Sequence, residues 1–439
     1  MKILDFVAVG LGPFNLSLAC LTDHLEDLSG VVLEQRSRFD WHPGMMIDGV
    51  TLQTPFMSDL VTLADPTNPY SYLNYSKLKG RLYSFYIRES FFLLRQEYNQ
   101  YCQWATEQLN NLRFNTQVQS VVYLPEHSCY HIQCVEQSNG EAIDYFARQL
   151  VLGTGPAPHL PENLEPLKTA LVHSSQYLPR KAMLQNAKSI AVVGSGQSAA
   201  EIFYDLLQEA PEKGYHVTWL TRANRFFPLE YTKLTLEMTS PEYVDYFYNL
   251  PSEKRDELIG QQQNLYKGIN SCLINDIYDL LYQQGVAGYQ CATLATNSAL
   301  VDITATQEQQ FCLSVHHKEQ EQDYELNAEQ VVMATGYSYK VPAFLKAIES
   351  HINWDEKGRY AVDRLYSIDN NKSIFVQNAE IHTHGFVTPD LGMACYRNSQ
   401  IINQLAGREV YRVEQRIAFQ EFGVPSRANV ASKKKDVAC

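Results

Sequence analysis

The chain predicts an α/β fold: two Rossmann-like dinucleotide-binding domains with a small helical substrate-binding region. Two glycine-rich turns and the strands around them predict it. The apolar run Phe6-Val7-Ala8-Val9 breaks into Gly10-Leu11-Gly12-Pro13-Phe14-Asn15, and Ile190-Ala191-Val192-Val193 breaks into Gly194-Ser195-Gly196-Gln197-Ser198-Ala199. Each turn opens a helical pattern followed by another apolar strand. A strand ending this way aims free backbone N–H groups, backed by the helix dipole, at a pyrophosphate. One such loop is a weak signal. Two point to a resident flavin and a visiting nicotinamide cofactor, hence to hydride transfer.

In the first unit Gly10 permits the tight turn and Gly12 lets a phosphate approach the backbone. Pro13 sits at the helix start, where a missing N–H costs nothing, and Asn15 holds the third glycine position. The helical pattern Leu16, Leu18, Ala19, Leu21 leads to the strand Val31-Val32-Leu33 and then Glu34. An acid about twenty residues past the glycines is where a ribose hydroxyl is gripped. In the second unit Ala199 is small enough for close helix–strand packing. Its next strand, Val217-Thr218-Trp219-Leu220, runs into Thr221-Arg222-Ala223-Asn224-Arg225. Two cations and no acid suit a 2′-phosphate, which favours NADPH over NADH.

Between the units, residues 41–80 read as an ordered loop region rich in turn formers and aromatics. Residues 86–112 read as an amphipathic helix, with Phe91, Leu94, Tyr98, Tyr101 and Leu109 near helical spacing. Residues 114–152 alternate as strands and end in Gly153-Thr154-Gly155. A turn of the same kind, Ala334-Thr335-Gly336, ends the strand Val331-Val332-Met333. Such small-residue turns let backbone approach a cofactor or cross between domains. The expected division is a split FAD-binding domain, 1–160 and 336–425, around an NADPH-binding domain, 165–335. A Tyr- and Gln-rich helical substrate-binding insertion is expected at 226–290. A loop feeding a final helix falls at 378–408, and 426–439 is expected to be a disordered basic tail.

Composition narrows the class. The 439 residues suffice for two or three domains, and 45% apolar content is that of an ordinary globular protein. A net charge of −13 disfavours nucleic acid and anionic membranes as partners. No apolar run reaches the length of a membrane span. The first residues lead straight into the first nucleotide strand, so a cleavable signal is not expected and the cytoplasm is the expected compartment. Nine cysteines without a CxxC pair read as reduced thiols, unlike the paired cysteines of disulfide reductases. No metal site is expected from the twelve histidines.

Further motifs are Trp41-His42-Pro43-Gly44-Met45, Leu52-Gln53-Thr54, Asp59-Leu60-Val61, Pro66-Thr67-Asn68-Pro69-Tyr70-Ser71 and Thr383-His384-Gly385. With the two glycine loops and Ala334-Thr335-Gly336-Tyr337, their order and spacing resemble the flavin-dependent N-hydroxylating monooxygenases of siderophore biosynthesis. That family's best-known members hydroxylate the side-chain amine of lysine or ornithine. The resemblance covers about residues 3–410. It implies FAD, NADPH as reductant, and molecular oxygen, which adds to the reduced flavin as a C4a-hydroperoxide and passes one atom to a neutral primary amine. It assigns no acid–base residue. It implies that Gly10, Gly12, Pro13 and Asn15 hold the FAD pyrophosphate and Glu34 its ribose. Trp41, His42 and Gln53 are expected near the flavin ring, with Thr335, Gly336, His384 and Leu391 closing over it. Gly194, Gly196, Gln197, Ser198, Arg222 and Arg225 are expected to hold NADPH. A homo-oligomer, dimer or tetramer, is the expected assembly.

The chain departs from that pattern at the substrate. The amino-acid hydroxylases usually read Phe-Leu-Lys-Asp-Leu-Val, whose lysine resembles a clamp for the α-carboxylate. Here the stretch is Phe56-Met57-Ser58-Asp59-Leu60-Val61, and a buried carboxylate without a cation is costly. Leu236 stands where ornithine-type relatives often place a polar amide. In Asp390-Leu391-Gly392-Met393, Gly392 marks where a common serine is replaced. The expected substrate is therefore a small primary amine without an α-carboxylate: histamine, putrescine or cadaverine. Three alternatives stand beside this reading. Lysine or ornithine binds if Lys233 or Lys267 replaces the lost cation. The chain is another kind of flavin monooxygenase. It is a flavoprotein without catalysis. Restoring the cation with Ser58→Lys should weaken turnover of a decarboxylated amine by at least about tenfold, the effect of a like charge worth about 1.4 kcal/mol. Hydroxylamine yield from parallel amines checks this, and an unchanged substrate preference would count against the reading.

Overall fold

Strand Ile3–Val9 lies between two parallel neighbours, with Val7 opposite Val31 of Gly30–Leu33 on one side and opposite Leu150 of Ala142–Leu152 on the other. The computed structural model describes residues 2–306 and 310–425; the expected tail at 426–439 lies outside the described residues. Alternation along this strand feeds two cores. Phe6 and Ala8 pack with Leu16, Leu18 and Ile401, and Val7 and Val9 pack with Val121, Leu345 and Ile348. Leu112–Arg113 extends one edge of the sheet, and Thr116–Leu124 and Cys129–Glu136 add an antiparallel pair. Ile374–Val376, reached only after the chain has traversed the second unit, pairs in parallel with the end of Ala142–Leu152. The sheet has seven strands.

The second unit repeats the plan. Ser189–Val193 sits between His216–Leu220 and Gln330–Met333, with Val172–His173 and Ala292–Ala295 outside them, all parallel. Helix Gln197–Lys213 buries Ala199, Ile202, Phe203 and Leu206 against this sheet. Ser298–Ala305, Phe311–His317 and Gln322–Ala328 form an antiparallel meander. Within 226–290, helix Ser271–Val286 is the crossover between strands His216–Leu220 and Ala292–Ala295. Gln284 ties it to the neighbouring helix by donating to the Leu207 carbonyl at 2.7 Å. The short helices Lys233–Leu236, Pro241–Tyr248 and Ser252–Gln261 precede it. Among the described residues no helix is long and apolar enough to cross a membrane.

The helix expected over 86–112 is broken. Helix Leu82–Arg88 stops at Glu89, which adopts a left-handed φ of 50°. Phe92–Leu94 then pairs with Thr51–Pro55, and the helix resumes as Arg95–Gln108. The helical spacing of Phe91, Leu94 and Tyr98 ran through a strand because pairing outcompeted it. The Phe91 carbonyl accepts from the Phe56 N–H at 2.7 Å, and the two rings meet at 5.7 Å. The region 41–80, expected as a loop, also holds the strand Thr51–Pro55 and the helix Tyr72–Leu78. The Asp59 carboxylate accepts from the N–H groups of Val61, Thr62 and Tyr72.

The glycine turns and the small-residue turns are halves of one crossing. A Cβ on Gly10, whose φ is +87°, would lie 2.6 Å from the Gly153 carbonyl oxygen; one on Gly194 would lie 2.4 Å from that of Ala334. The two linkers between the units also pair with each other, Ala157–Pro158 against Tyr337–Ser338. Gly12 contrasts with Gly10, because nothing lies within 4 Å of an added Cβ there. Gly10→Ala should therefore destabilise the flavin-free protein by roughly 1–3 kcal/mol, from strain and overpacking. Gly12→Ala should leave it within about 0.5 kcal/mol of the parent. Denaturant midpoints of the two variants check the difference.

Candidate active site

A cleft of about 270 Å³ opens between the two units. Trp41 and His42 reach it from the loop before Pro43–Met45, and Leu52, Gln53 and Thr54 from the strand Thr51–Pro55. Ser198 comes from the second nucleotide helix and Tyr337 from the returning linker. Leu229, Tyr231, Leu236 and Tyr266 come from the helical region, and Phe386, Asp390 and Leu391 from the loop before the last helix. The side chains that form the cleft are thus far apart in sequence and are brought together by the crossing of the linkers.

Both nucleotide helices begin at a glycine with extended backbone, Gly12 and Gly196, and neither has a side-chain cap. Uncapped N–H groups fit a pyrophosphate as their cap; nothing lies within 4 Å of a Cβ added at Gly12, whereas the Lys267 carbonyl lies 3.2 Å from one added at Gly196. On the cleft wall Thr54 Oγ1 is a buried hydroxyl without a hydrogen-bond partner among the described residues, as a bound ligand would supply. Glu34 stands at the end of the second strand. Its carboxylate accepts from the Leu11 N–H at 2.8 Å and the Arg36 N–H at 2.9 Å. Arg222 and Arg225 are exposed past the strand His216–Leu220. Crowding and, after it, repulsion from Arg222 lower the pKa of Lys267, which places Lys267 with these cations. This donor set fits a phosphorylated ribose.

Several expected residues do different work. The Asn15 amide donates to the Gly10 carbonyl at 2.7 Å and accepts from Gln377 at 2.6 Å, fully buried, so it shapes the turn and leaves the pyrophosphate to backbone groups. The Thr335 hydroxyl donates to the His159 carbonyl, and the Gly336 carbonyl accepts from the His159 N–H at 2.9 Å. These two hold the linker, and it is their neighbour Tyr337 that faces the cleft. His384 is 1% exposed, stacked on Tyr366 at 4.4 Å and bonded to the Thr383 hydroxyl. Burial holds its pKa well below the usual value, so it is a neutral core group and the loop after it forms the wall. Ser58 and Gly392 lie beside each other just outside the cleft lining, and Ser58 Oγ and Asp390 Oδ1 each lie 3.2 Å from where a Cβ on Gly392 would be. Lys233 is exposed on the short helix it opens, and neither it nor Lys267 lines the cleft.

His42 has a left-handed φ of 50° and lies edge-on to Trp41 at 4.6 Å. Its ring edge reaches the open cleft, yet the surrounding walls desolvate it. With Arg95 and Arg36 adding repulsion, its pKa falls to about 4, so it is neutral near pH 7. Gln53 Nε2 donates to Gln197 Oε1 at 3.2 Å and to the Gly268 carbonyl at 3.3 Å. Gln197 in turn donates to Glu201 at 2.8 Å. Glu201 receives two bonds from Arg95, at 2.8 and 2.7 Å, and Arg95 also donates to the Met45 carbonyl at 2.6 Å. This buried chain joins the two units through the cleft wall. Sequence reasoning missed Arg95 and Glu201 as a pair, because 106 residues separate them and neither carries a local signal. It also missed Tyr337 as a lining residue.

Residues 2–339 match the L-lysine 6-monooxygenase/L-ornithine 5-monooxygenase family. The chain is 51% identical to a putrescine N-hydroxylase of Shewanella oneidensis, over 99% of this chain and 86% of that protein. Among solved structures it is similar to the FAD-bound cadaverine monooxygenase of desferrioxamine biosynthesis from Erwinia amylovora. That match has a TM-score of 0.96, 57% identity, and coverage of 98% of this chain and 100% of that one. It is also similar to the ornithine N-hydroxylase of Kutzneria sp. 744 with reduced FAD, NADP+ and L-ornithine, with a TM-score of 0.84, 25% identity and coverage of 92% and 99%.

Because Arg95 and Glu201 are buried together, removing one charge strands the other. Glu201→Gln should lower stability by about 3–5 kcal/mol, and the double replacement Arg95→Met with Glu201→Met should recover most of that loss. Chemical unfolding of the three proteins tests this. A Glu201→Gln midpoint equal to the parent's would show that the pair is not desolvated.

Proposed function

The chain belongs to the L-lysine 6-monooxygenase/L-ornithine 5-monooxygenase family, and from that premise we propose that it N-hydroxylates a small aliphatic diamine, putrescine or cadaverine, for siderophore biosynthesis. It is an NADPH-dependent flavin N-monooxygenase, and its cofactors are FAD and NADPH. The observation that carries the choice of substrate is the absence of a free cation along the cleft. Ser58 stands at the clamp position, and Arg95, the one lysine or arginine among the described lining residues, is bound to Glu201. An α-carboxylate would enter without a partner. The relatives named for putrescine and cadaverine support the same reading and favour a diamine over histamine.

The chemistry that bound FAD supplies is passage of electrons from NADPH to oxygen, with one oxygen atom going to the amine and the other to water. The protein's share is to hold, orient and dry the site. In this reading Gly10, Gly12 and Pro13 cradle the FAD pyrophosphate and Glu34 its ribose. Trp41, His42, Gln53 and Leu391 border the ring. Gly194, Gly196, Gln197 and Ser198 receive the NADPH pyrophosphate, and Arg222 and Arg225 receive its 2′-phosphate. A reacting amine needs a free lone pair. Trp41, Leu52, Leu229 and Phe386 give the cleft apolar lining, which lowers an amine's pKa toward the neutral form. Both side-chain N–H contacts of Gln53 are used within the protein, which leaves its amide oxygen to accept from that amine. We also infer a cytoplasmic homo-oligomer. Exposed Tyr278, Tyr282 and Val286 on one helix, and Tyr83, Tyr86 and Ile87 on another, offer apolar surface for subunit contact.

The test is hydroxylamine product, not NADPH loss, because uncoupled oxidation also consumes NADPH. Protein with FAD and NADPH should form hydroxylamine from putrescine and cadaverine. kcat/KM should be at least about a hundredfold lower for lysine and ornithine, the cost of an unpaired buried carboxylate. Comparable product from either amino acid would overturn the reading.

A further inference from the structure

We propose that Asp390 anchors the second, non-reacting ammonium of the substrate and so selects a diamine over a monoamine or an amino acid. This rests on the diamine reading above. Asp390 lines the cleft. One of its carboxylate oxygens, Oδ1, accepts from the Gly392 N–H at 2.8 Å, capping the turn Leu391–Met393. The other oxygen has no hydrogen-bond donor or ion-pair partner among the described residues. The cation whose field reaches it, Arg397, is committed to Glu380 at 2.9 Å. Crowding raises the pKa of Asp390 above the usual carboxylate value, which marks an under-compensated negative charge. Its charge is also felt at Tyr231, on the cleft wall, whose hydroxyl donates to the Gln53 carbonyl. Asp390 therefore shares one compartment with the residue proposed to hold the reacting amine.

The departures at Ser58 and Gly392 serve this carboxylate. A Cβ on Gly392 would lie 3.2 Å from both Asp390 Oδ1 and Ser58 Oγ. A side chain at 392 would press on the carboxylate, and a lysine at 58 would reach and neutralise it. With glycine and serine in place, the carboxylate stays free for a substrate ammonium. An amine against the apolar lining is favoured as the neutral nucleophile, and one at Asp390 is favoured as an ammonium. One nitrogen is thus kept inert while the other is presented.

The experiment compares Asp390→Asn with the parent on putrescine and on n-butylamine, which keeps the chain and lacks the second nitrogen. Asparagine retains an oxygen for the Gly392 N–H, so the cap survives. KM for putrescine should rise on the order of 10–100-fold, the worth of a charge-assisted hydrogen bond. kcat at saturation and KM for n-butylamine should stay within about threefold of the parent's, and the preference for the diamine should collapse. Equal losses on both amines would show that Asp390 only shapes the turn and would overturn the anchor. Glu230 also lines the cleft, with its carboxylate bonded to the Thr232 N–H. Collapse of the preference in Glu230→Gln but not in Asp390→Asn would overturn the anchor as well. Diamine turnover with an unchanged preference in Asp390→Asn sinks the anchor alone. No hydroxylamine from any diamine in the parent sinks the diamine reading and the anchor with it.

Discussion

Gly10 can carry no side chain because the Gly153 carbonyl fills that space, and Gly194 is held to glycine by the carbonyl of Ala334. This close passage of two backbones is the constraint on which the rest of the molecule depends. It lets the strand that precedes the first nucleotide turn lie flush with the strand that leaves the unit, and the same holds on the return. The exits therefore lie side by side, and Ala157–Pro158 pairs with Tyr337–Ser338. Ser198 of the second nucleotide loop then reaches the cleft between the units. Tyr337, one residue past the second crossing, is delivered into its wall.

The bridge from Gln53 through Gln197 and Glu201 to Arg95 fixes the two units relative to each other. Buried ion pairs are weak sources of net stability, because desolvation offsets most of the attraction. What this one supplies is position. Arg95 begins a helix of the first unit, and Glu201 lies one turn into the nucleotide helix of the second. Their two parallel hydrogen bonds set the angle between those helices. Gln197, the first residue of the nucleotide helix, passes that geometry to Gln53.

Much of this was legible in the sequence because it is local. The glycine turns, the strands before them, the acid at Glu34 and the cations at Arg222 and Arg225 are each set by a few consecutive residues. Failures came where a distant partner decides. Phe91 and Leu94 carry helical spacing, but the partner strand at Thr51–Pro55 takes them. Asn15 sits in a nucleotide motif, yet Gln377 and the Gly10 carbonyl occupy its amide. His384 belongs to a recognisable motif, and only the packing of Tyr366 and Tyr248 around it shows that it is core. Asp390 stood in plain view beside Gly392. That it faces the cleft beside Tyr231 and near Ser58 shows only in the fold, because both lie far from it in sequence.

Losing the clamp lysine explains only half of a change in substrate. A pocket with serine alone would reject an α-carboxylate, but it would accept a diamine no better. At neutral pH an aliphatic amine far from the reacting end is an ammonium, with an intrinsic pKa near that of lysine, about 10.4. Burying that charge unpaired costs as much as burying the unpaired carboxylate. The cleft must therefore reverse the sign of its far end, and Asp390 does so while Arg397 stays occupied by Glu380. Reversal also explains why the far end must stay small. A larger residue at 392 would crowd the carboxylate, and any cation at 58 would cancel it. Substrate choice here is a property of the trio Ser58, Asp390 and Gly392, and changing one member without the others should give a pocket suited to neither class of amine.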